Sequence, residues 1–216
     1  MLIYDLFSGT GSATKAFIDA GHKVISFELD PSFTATETVN VLTLDALILL
    51  NRYGRPDFIW ASPPCTAFSV AAISRNWVSG GDNPQPRNDR ARLAQDLVQH
   101  TLDLITTINP TLGFLIENPR GMLRKLPTLA HLPRHTVTYC AYHDTRMKPT
   151  DLWGYVPNWT PRKPCKNGDT CHVSAPRGSK SGTQGLANAT ERSKVPEQLG
   201  LELLQALSIA NACRVA

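Results

Sequence analysis

Short apolar runs, each ending in a polar or glycine-rich turn, alternate along the chain with stretches of helical spacing, and no other feature limits the possible folds as tightly. Leu2–Phe7 has the composition of a strand and stops at the turn residues Ser8–Gly11. Ser12–Ala20 has helical spacing and stops at Gly21, and Lys23–Phe27 is a second strand. Val39–Leu42, Phe58–Ala61, Leu112–Ile116 and Thr136–Tyr139 are further strand candidates. Leu44–Arg52 and Arg90–Ile108 have helical spacing, the latter with Leu93, Leu97, His100, Leu104 and Ile108 along one face. Pro196–Ala210 closes the chain with an amphipathic helix striped by Leu199, Leu203, Leu207 and Ala210. The alternation predicts an α/β architecture, a mostly parallel twisted sheet with helices on both faces. Ligands of such sheets lie beyond the carboxyl ends of the strands, so functional residues are expected just after strands.

The 216 residues, 42% hydrophobic and 19% charged, suit one domain with a small appendage. No apolar run approaches the roughly 18 residues of a membrane-spanning helix. The apolar start Met1–Tyr4 is interrupted by Asp5 and lacks a basic leader, which predicts a cytoplasmic protein. The five cysteines are an odd number on a mid-sized chain, poor material for a disulfide framework and better suited to a reducing compartment. From Arg120 to Lys194, 13 Lys and Arg face four acidic residues, whereas the remainder of the chain is net acidic. That asymmetry fits a polyanionic partner met by the second half, or a solvated basic surface. Ser69–Asp89, polar and containing Gly80 and Gly81, reads as a mobile loop, and Tyr155–Ala189, rich in Pro, Gly, Lys and Arg, as an irregular insertion. The expected organisation is a catalytic domain over 1–152, a short basic insertion over 153–190, and a segment over 191–216 that returns to the first domain.

Four motifs fall at strand ends. Asp5-Leu6-Phe7-Ser8-Gly9-Thr10-Gly11-Ser12 joins a strand to a helix, with glycines that let the backbone turn sharply and approach a ligand. Glu28, at the end of the second strand, stands where a carboxylate can accept from ribose hydroxyls, or it merely caps the strand. No phosphate-loop lysine follows the turn, which favours a nucleoside-type ligand over a triphosphate. In Ala61-Ser62-Pro63-Pro64-Cys65 two prolines fix the backbone and hold the next side chain at the sheet edge, where a thiolate is a competent nucleophile. Glu117-Asn118-Pro119 places a carboxyl group at another strand end, suited to acid catalysis. Arg146-Met147-Lys148 offers cations at the same edge.

Taken in this order, the four motifs resemble those of the DNA cytosine 5-methyltransferase family, over residues 1–155 and again, weakly, at Ser193-Lys194-Val195-Pro196. The short insertion is similar to that of compact members carried by bacteriophages. The resemblance implies a Rossmann-like, class I S-adenosylmethionine-dependent methyltransferase fold, S-adenosyl-L-methionine as the small-molecule methyl donor and double-stranded DNA as partner, with no obligate protein partner and no membrane. Asp5, Phe7, Ser8, Gly9, Thr10, Gly11, Ser12, Glu28, Asp45, Pro63 and Ser193 are then expected around the donor. Cys65 would add to ring carbon 6 of a flipped-out cytosine, Glu117 would contact ring nitrogen 3 and the amino group, and Arg146 would hold the ring carbonyl oxygen. Pro119 stands where the family has valine, and Lys148 where a second arginine is common. RNA cytosine methylation, transfer of a modified group, and a silent nucleic-acid-binding module are the rival readings. The catalytic motifs assign no metal. Cys165-x5-Cys171-His172, with Cys140 earlier, departs from zinc-knuckle spacing and leaves open either zinc or free thiols in an irregular loop.

Overall fold

The computed structural model describes residues 1–78, 84–166, 168–173 and 188–215. In chain order its elements are β1 (Leu2–Leu6), α1 (Lys15–Asp19), β2 (Lys23–Glu28), β3 (Glu37–Thr38), α2 (Ala46–Tyr53), β4 (Phe58–Ala61), α3 (Ile73–Asn76), β5 (Trp77–Val78), β6 (Gln85–Pro86), α4 (Asp89–Ile108), β7 (Gly113–Pro119), β8 (Arg134–Thr138), β9 (Pro149–Tyr155), α5 (Ala189–Ser193) and α6 (Glu197–Val215). Seven strands form one sheet in the order β3-β2-β1-β4-β7-β9-β8. The five from β3 to β7 are parallel, and β9 runs antiparallel to both β7 and β8. Among the described residues no helix is long and apolar enough to cross a membrane.

Because strand side chains alternate between faces, the central strands feed two cores. Tyr4, Leu6, Ile59, Ala61 and Ile116 pack on one face with Leu49 of α2 and Val98, Leu102 and Ile105 of α4. Ile3, Phe58, Trp60 and Leu115 pack on the other with Phe17 of α1 and Leu199, Leu203 and Leu207 of α6. Burial on both faces explains why these strands are nearly continuous apolar runs in the sequence. On the second face, a Cβ at Gly200 of α6 would lie 3.3 Å from the Ala13 carbonyl oxygen and 3.4 Å from the Ala16 Cβ, so the glycine allows α6 to approach α1 closely.

Several expectations are corrected. Val39–Leu42 is not a strand: Asn40 accepts from the Leu42 amide and caps a 3-10 turn over Val41–Thr43, while the pairing residues are Glu37 and Thr38. Of the face expected on α4, Leu104 and Ile108 are buried but Leu93 is 52% exposed, and Ala91, Ala94, Val98, Leu102 and Ile105 complete the buried side. The described residues of Ser69–Asp89 are more ordered than a mobile loop. Trp77 is fully buried, stacks on Phe68 at 5.7 Å and donates its indole N–H to the Ala67 carbonyl at 2.8 Å, which anchors α3 and the β5–β6 ribbon. Gly80 and Gly81 of this segment lie outside the described residues, as does 174–187 of the insertion. The boundary expected at 152 falls inside β9, whose Trp153 belongs to the core.

Candidate active site

The strand register sets the site. Leu6 pairs with Phe27 and with Ala61, and Ala61 pairs with Ile116, so these four residues share one row across the parallel strands. The next residues, Phe7, Glu28, Ser62 and Glu117, therefore emerge together at one sheet edge, where the strand order reverses direction around β1 and β4.

At this edge the glycine turn is held by amide bonds from Ser8 to the Phe27 carbonyl at 3.1 Å and from Gly11 to the Ser8 carbonyl at 2.8 Å. Phe7, Gly9 and Gly11 all take positive φ. The two glycines adopt it without strain, and the space a Cβ would fill above each is open. Glu28 accepts from the Gly9 amide at 2.8 Å through Oε2, and from the Leu29 and Asp30 amides at 2.8 and 3.0 Å through Oε1. It thus caps its own turn and still keeps a lone pair on Oε2 for a ligand hydroxyl. A cavity of about 300 Å³ opens here, lined by Phe7, Glu28, Leu29, Asp30, Val39, Asn40, Val41, Ser62, Pro64 and Leu97. Apolar walls with carboxylates at the rim suit a nucleoside that carries hydroxyls and positive charge.

Beneath the turn, Asp5 is 1% exposed and takes a 2.6 Å hydrogen bond from the Thr14 hydroxyl. Asp5 Oδ1 and Ser8 Oγ are buried without a partner among the described residues, so a ligand's N–H or O–H groups could satisfy them. Burial pushes the Asp5 carboxyl up to about 7, against the Thr14 hydrogen bond and with a further push from Glu28. The sign of the linkage follows: the neutral acid is tolerated below pH 4, and stability is lost as pH rises towards 7 and the buried carboxylate must ionise. Asp5→Asn should therefore gain stability over the wild type at pH 8, on the order of a few kcal/mol, and much less at pH 5, as read by thermal melting at both pH values.

Pro63 and Pro64 deliver Cys65 to the start of a 3-10 turn over Cys65–Ala67, with the thiol free and half-buried. Burial and, secondarily, the Glu117 charge push this thiol up, whereas Lys148 and Arg192 oppose them. Glu117, 6% exposed within β7 just beyond its parallel pairing with β4, accepts from the Tyr139 hydroxyl at 3.0 Å and lies 3.9 Å from the Lys148 ammonium. Its neighbour Asn118 donates to the Pro63 carbonyl at 2.8 Å and so ties the nucleophile turn to the strand that carries the acid. A Cβ on Gly121 would stand 2.2 Å from the Phe68 carbonyl oxygen, so only glycine permits the loop after β7 to pack on the loop after Cys65.

The other expected site residues divide. Arg146 is buried, but Asp144 and the Glu191 and Lys194 carbonyls occupy its guanidinium, which packs 5.6 Å from the Tyr139 ring centre. It lines a separate cavity of about 550 Å³ that includes neither Cys65 nor Glu117. Lys148, 4.6 Å from the Tyr139 ring centre, is the cation beside Glu117. Asp45 is exposed and caps α2 through the Leu47 and Ile48 amides, away from the 300 Å³ cavity. Ser193 is exposed, its hydroxyl bonded to the Thr190 carbonyl, and Thr10 is exposed at the tip of the turn. Ser12 accepts from the Val195 amide at 2.9 Å, which docks the C-terminal segment on the glycine turn. Sequence reasoning did not single out Tyr139, Gly121 or the clamp made by Asn118. A buried tyrosine at the end of a strand was the available signal for the first; the other two depend on contacts between loops.

Residues 1–131 match the family described as C-5 cytosine-specific DNA methylase. A probable DNA (cytosine-5)-methyltransferase of Frog virus 3 (isolate Goorha) is 30% identical over 94% of this chain and 99% of its own length. The type II methyltransferase M.AplI of Arthrospira platensis is 32% identical over 58% of this chain and 33% of its own. Among solved structures, the Entamoeba histolytica methyltransferase EhMeth superposes with a TM-score of 0.51 at 11% identity, over 71% of this chain and 52% of that one. The S. pombe Dnmt2 methyltransferase gives 0.50 at 12% identity, over 76% and 51%. The chain spans about half the length of those two structures, and at such identities they bear on the fold alone. Sheet order, the motifs at the strand ends and a match over more than half its length place this chain in the C-5 cytosine-specific DNA methylase family.

Proposed function

We propose that this protein methylates carbon 5 of a cytosine flipped out of double-stranded DNA, with S-adenosyl-L-methionine as donor and a covalent bond between Cys65 and ring carbon 6. One observation carries the reading: a half-buried thiol, a buried carboxyl group and a buried ammonium meet at the sheet edge that also bears a nucleoside-sized cavity. Phe7, Ser8, Gly9, Asp5 and Glu28 would hold the donor, whose sulfonium supplies an electrophilic methyl group when bound. The unpartnered oxygens of Asp5 and Ser8, together with the acidic rim, fit its cation and hydroxyls.

The chain's own residues then divide the work on the base. Cytosine carbon 5 is a poor nucleophile until a thiolate adds to carbon 6. The Cys65 sulfur forms that bond as its proton passes to the Glu117 carboxylate, the ring electron pair moves towards carbon 5, and Glu117 hands that proton on to nitrogen 3. Lys148, close to Glu117, takes the role of holding the ring carbonyl oxygen, while Arg146 supports Tyr139 and the C-terminal segment. Once carbon 5 is methylated, its proton leaves to solvent, the electron pair returns to the ring and expels Cys65 as the thiolate, and nitrogen 3 gives its proton back to Glu117. The base must leave the helix first, at a cost of a few kcal/mol.

Tritiated donor, duplex DNA rich in cytosine and an RNA of matching sequence form the test. Label is expected in the DNA, and duplex containing 5-fluorocytosine should form a stable covalent complex because fluorine cannot leave as a cation. Label in RNA alone overturns the DNA assignment. Absence of both label and adduct in every sequence context leaves a binding module.

A further inference from the structure

We propose that Cys140, Cys165, Cys171 and His172 form a structural zinc site that fastens the insertion to the catalytic sheet. Cys140 lies in the 3-10 turn over Tyr139–Tyr142 that follows β8, and the other three residues come from the insertion. One donor atom from each lies within 4.8 Å of the rest. Cys165 Sγ is 2.6 Å from Cys140 Sγ and 3.8 Å from His172 Nδ1, and Cys171 Sγ is 3.5 Å from that same nitrogen. All three cysteines are free thiols. A tetrahedral zinc ion with bonds of about 2.3 Å to sulfur and about 2.0–2.1 Å to nitrogen sets its ligand atoms about 3.5–3.8 Å apart, so the two His172 contacts already match, whereas the Cys140 and Cys165 sulfurs part by about 1 Å on binding. Three thiolates and one imidazole also fill every position of such an ion, so the site is structural rather than catalytic, and its sulfur donors disfavour magnesium and calcium. Binding releases the thiol protons to solvent.

The insertion needs such a fastening. Among the described residues from Pro161 to Val173 none is buried, and Val173 is 74% exposed. Ordering a residue costs about 1–2 kcal/mol of backbone entropy, which burial cannot offset here. The segment nevertheless follows a defined path: Cys165 donates its amide to the Thr138 hydroxyl at 3.0 Å, and Arg162 binds the Ala141 carbonyl at 2.6 Å and Glu202. Metal coordination supplies the missing free energy, as it does in other small segments that lack a core. Tyr139, adjacent to Cys140, bonds Glu117, so the metal also fixes the basic insertion relative to the site.

Metal analysis of the full chain purified under reducing conditions should find about one zinc per molecule. Cobalt exchanged into the site should show tetrahedral ligand-field bands and thiolate charge transfer. Cys171→Ser and His172→Ala should lose the metal, whereas Cys213→Ser, at an exposed cysteine of α6, should keep it. Chelation of the wild type should open residues 156–173 to limited proteolysis, a readout independent of activity. A folded wild-type chain that takes up neither zinc nor cobalt, or one in which Cys140 and Cys165 are joined as a disulfide, overturns the proposal. Metal loss from Cys213→Ser equal to that from Cys171→Ser would do the same.

Discussion

Cys65→Ala is expected to lower methyl transfer by more than about 10⁴-fold, because the proposed bond to carbon 6 needs a thiol and Cys65 carries the one that the described residues place at this sheet edge. Cys65→Ser should fall nearly as far, since a serine hydroxyl is a much weaker nucleophile than a thiolate. Neither change should disturb donor binding, as Cys65 is not among the residues lining the 300 Å³ cavity. Radiolabel transfer, together with calorimetric titration of the demethylated donor, measures the two effects separately. Turnover that survives in either variant excludes the covalent mechanism, whereas simultaneous loss of donor binding and turnover would show that the substitution damaged the fold.

Glu117→Gln should separate two readouts in opposite directions. Methylation is expected to drop by about 10²–10⁴-fold, the usual contribution of a positioned acid. The Cys65 thiol, however, should become more reactive. Burial holds it up first and the Glu117 charge second. Removing that charge lowers its pKa, so the thiolate fraction at any given pH rises and iodoacetamide alkylates the residue faster. Glutamine still presents an oxygen to the Tyr139 hydroxyl, so the local hydrogen bond can persist. An alkylation profile against pH that does not move towards lower pH would contradict the electrostatic account, even if activity were lost.

The sheet's central strands were legible because their two-sided burial makes them apolar runs, and β4 matches its expected bounds, Phe58–Ala61, at both ends. β9 escaped because Pro149, Asp151 and Gly154 are poor strand residues by composition. Tertiary contacts override that preference. Arg124 binds the buried Asp151 carboxylate at both oxygens, and Gly154 lies where any Cβ would stand 2.2 Å from the Phe114 carbonyl oxygen. Cys65 and Glu117 were visible because each directly follows or ends a readable strand. Which of Arg146 and Lys148 stands beside Glu117 was not, since both residues carry the same charge and the Arg146 guanidinium is taken up by Asp144 and by the carbonyls of Glu191 and Lys194, about 45 residues away. Asp45 illustrates the converse: an acid just before a helix serves as its N-cap, through the Leu47 and Ile48 amides.

The hydrogen bond from the Asn118 side-chain amide to the Pro63 carbonyl has a mechanical consequence. It ties the turn that carries the sulfur to the strand that carries the acid, so a rearrangement of the loop after Cys65 would displace the two together or not at all. Pliability towards different DNA sequences can therefore accumulate outside this link without spoiling the alignment on which the chemistry depends.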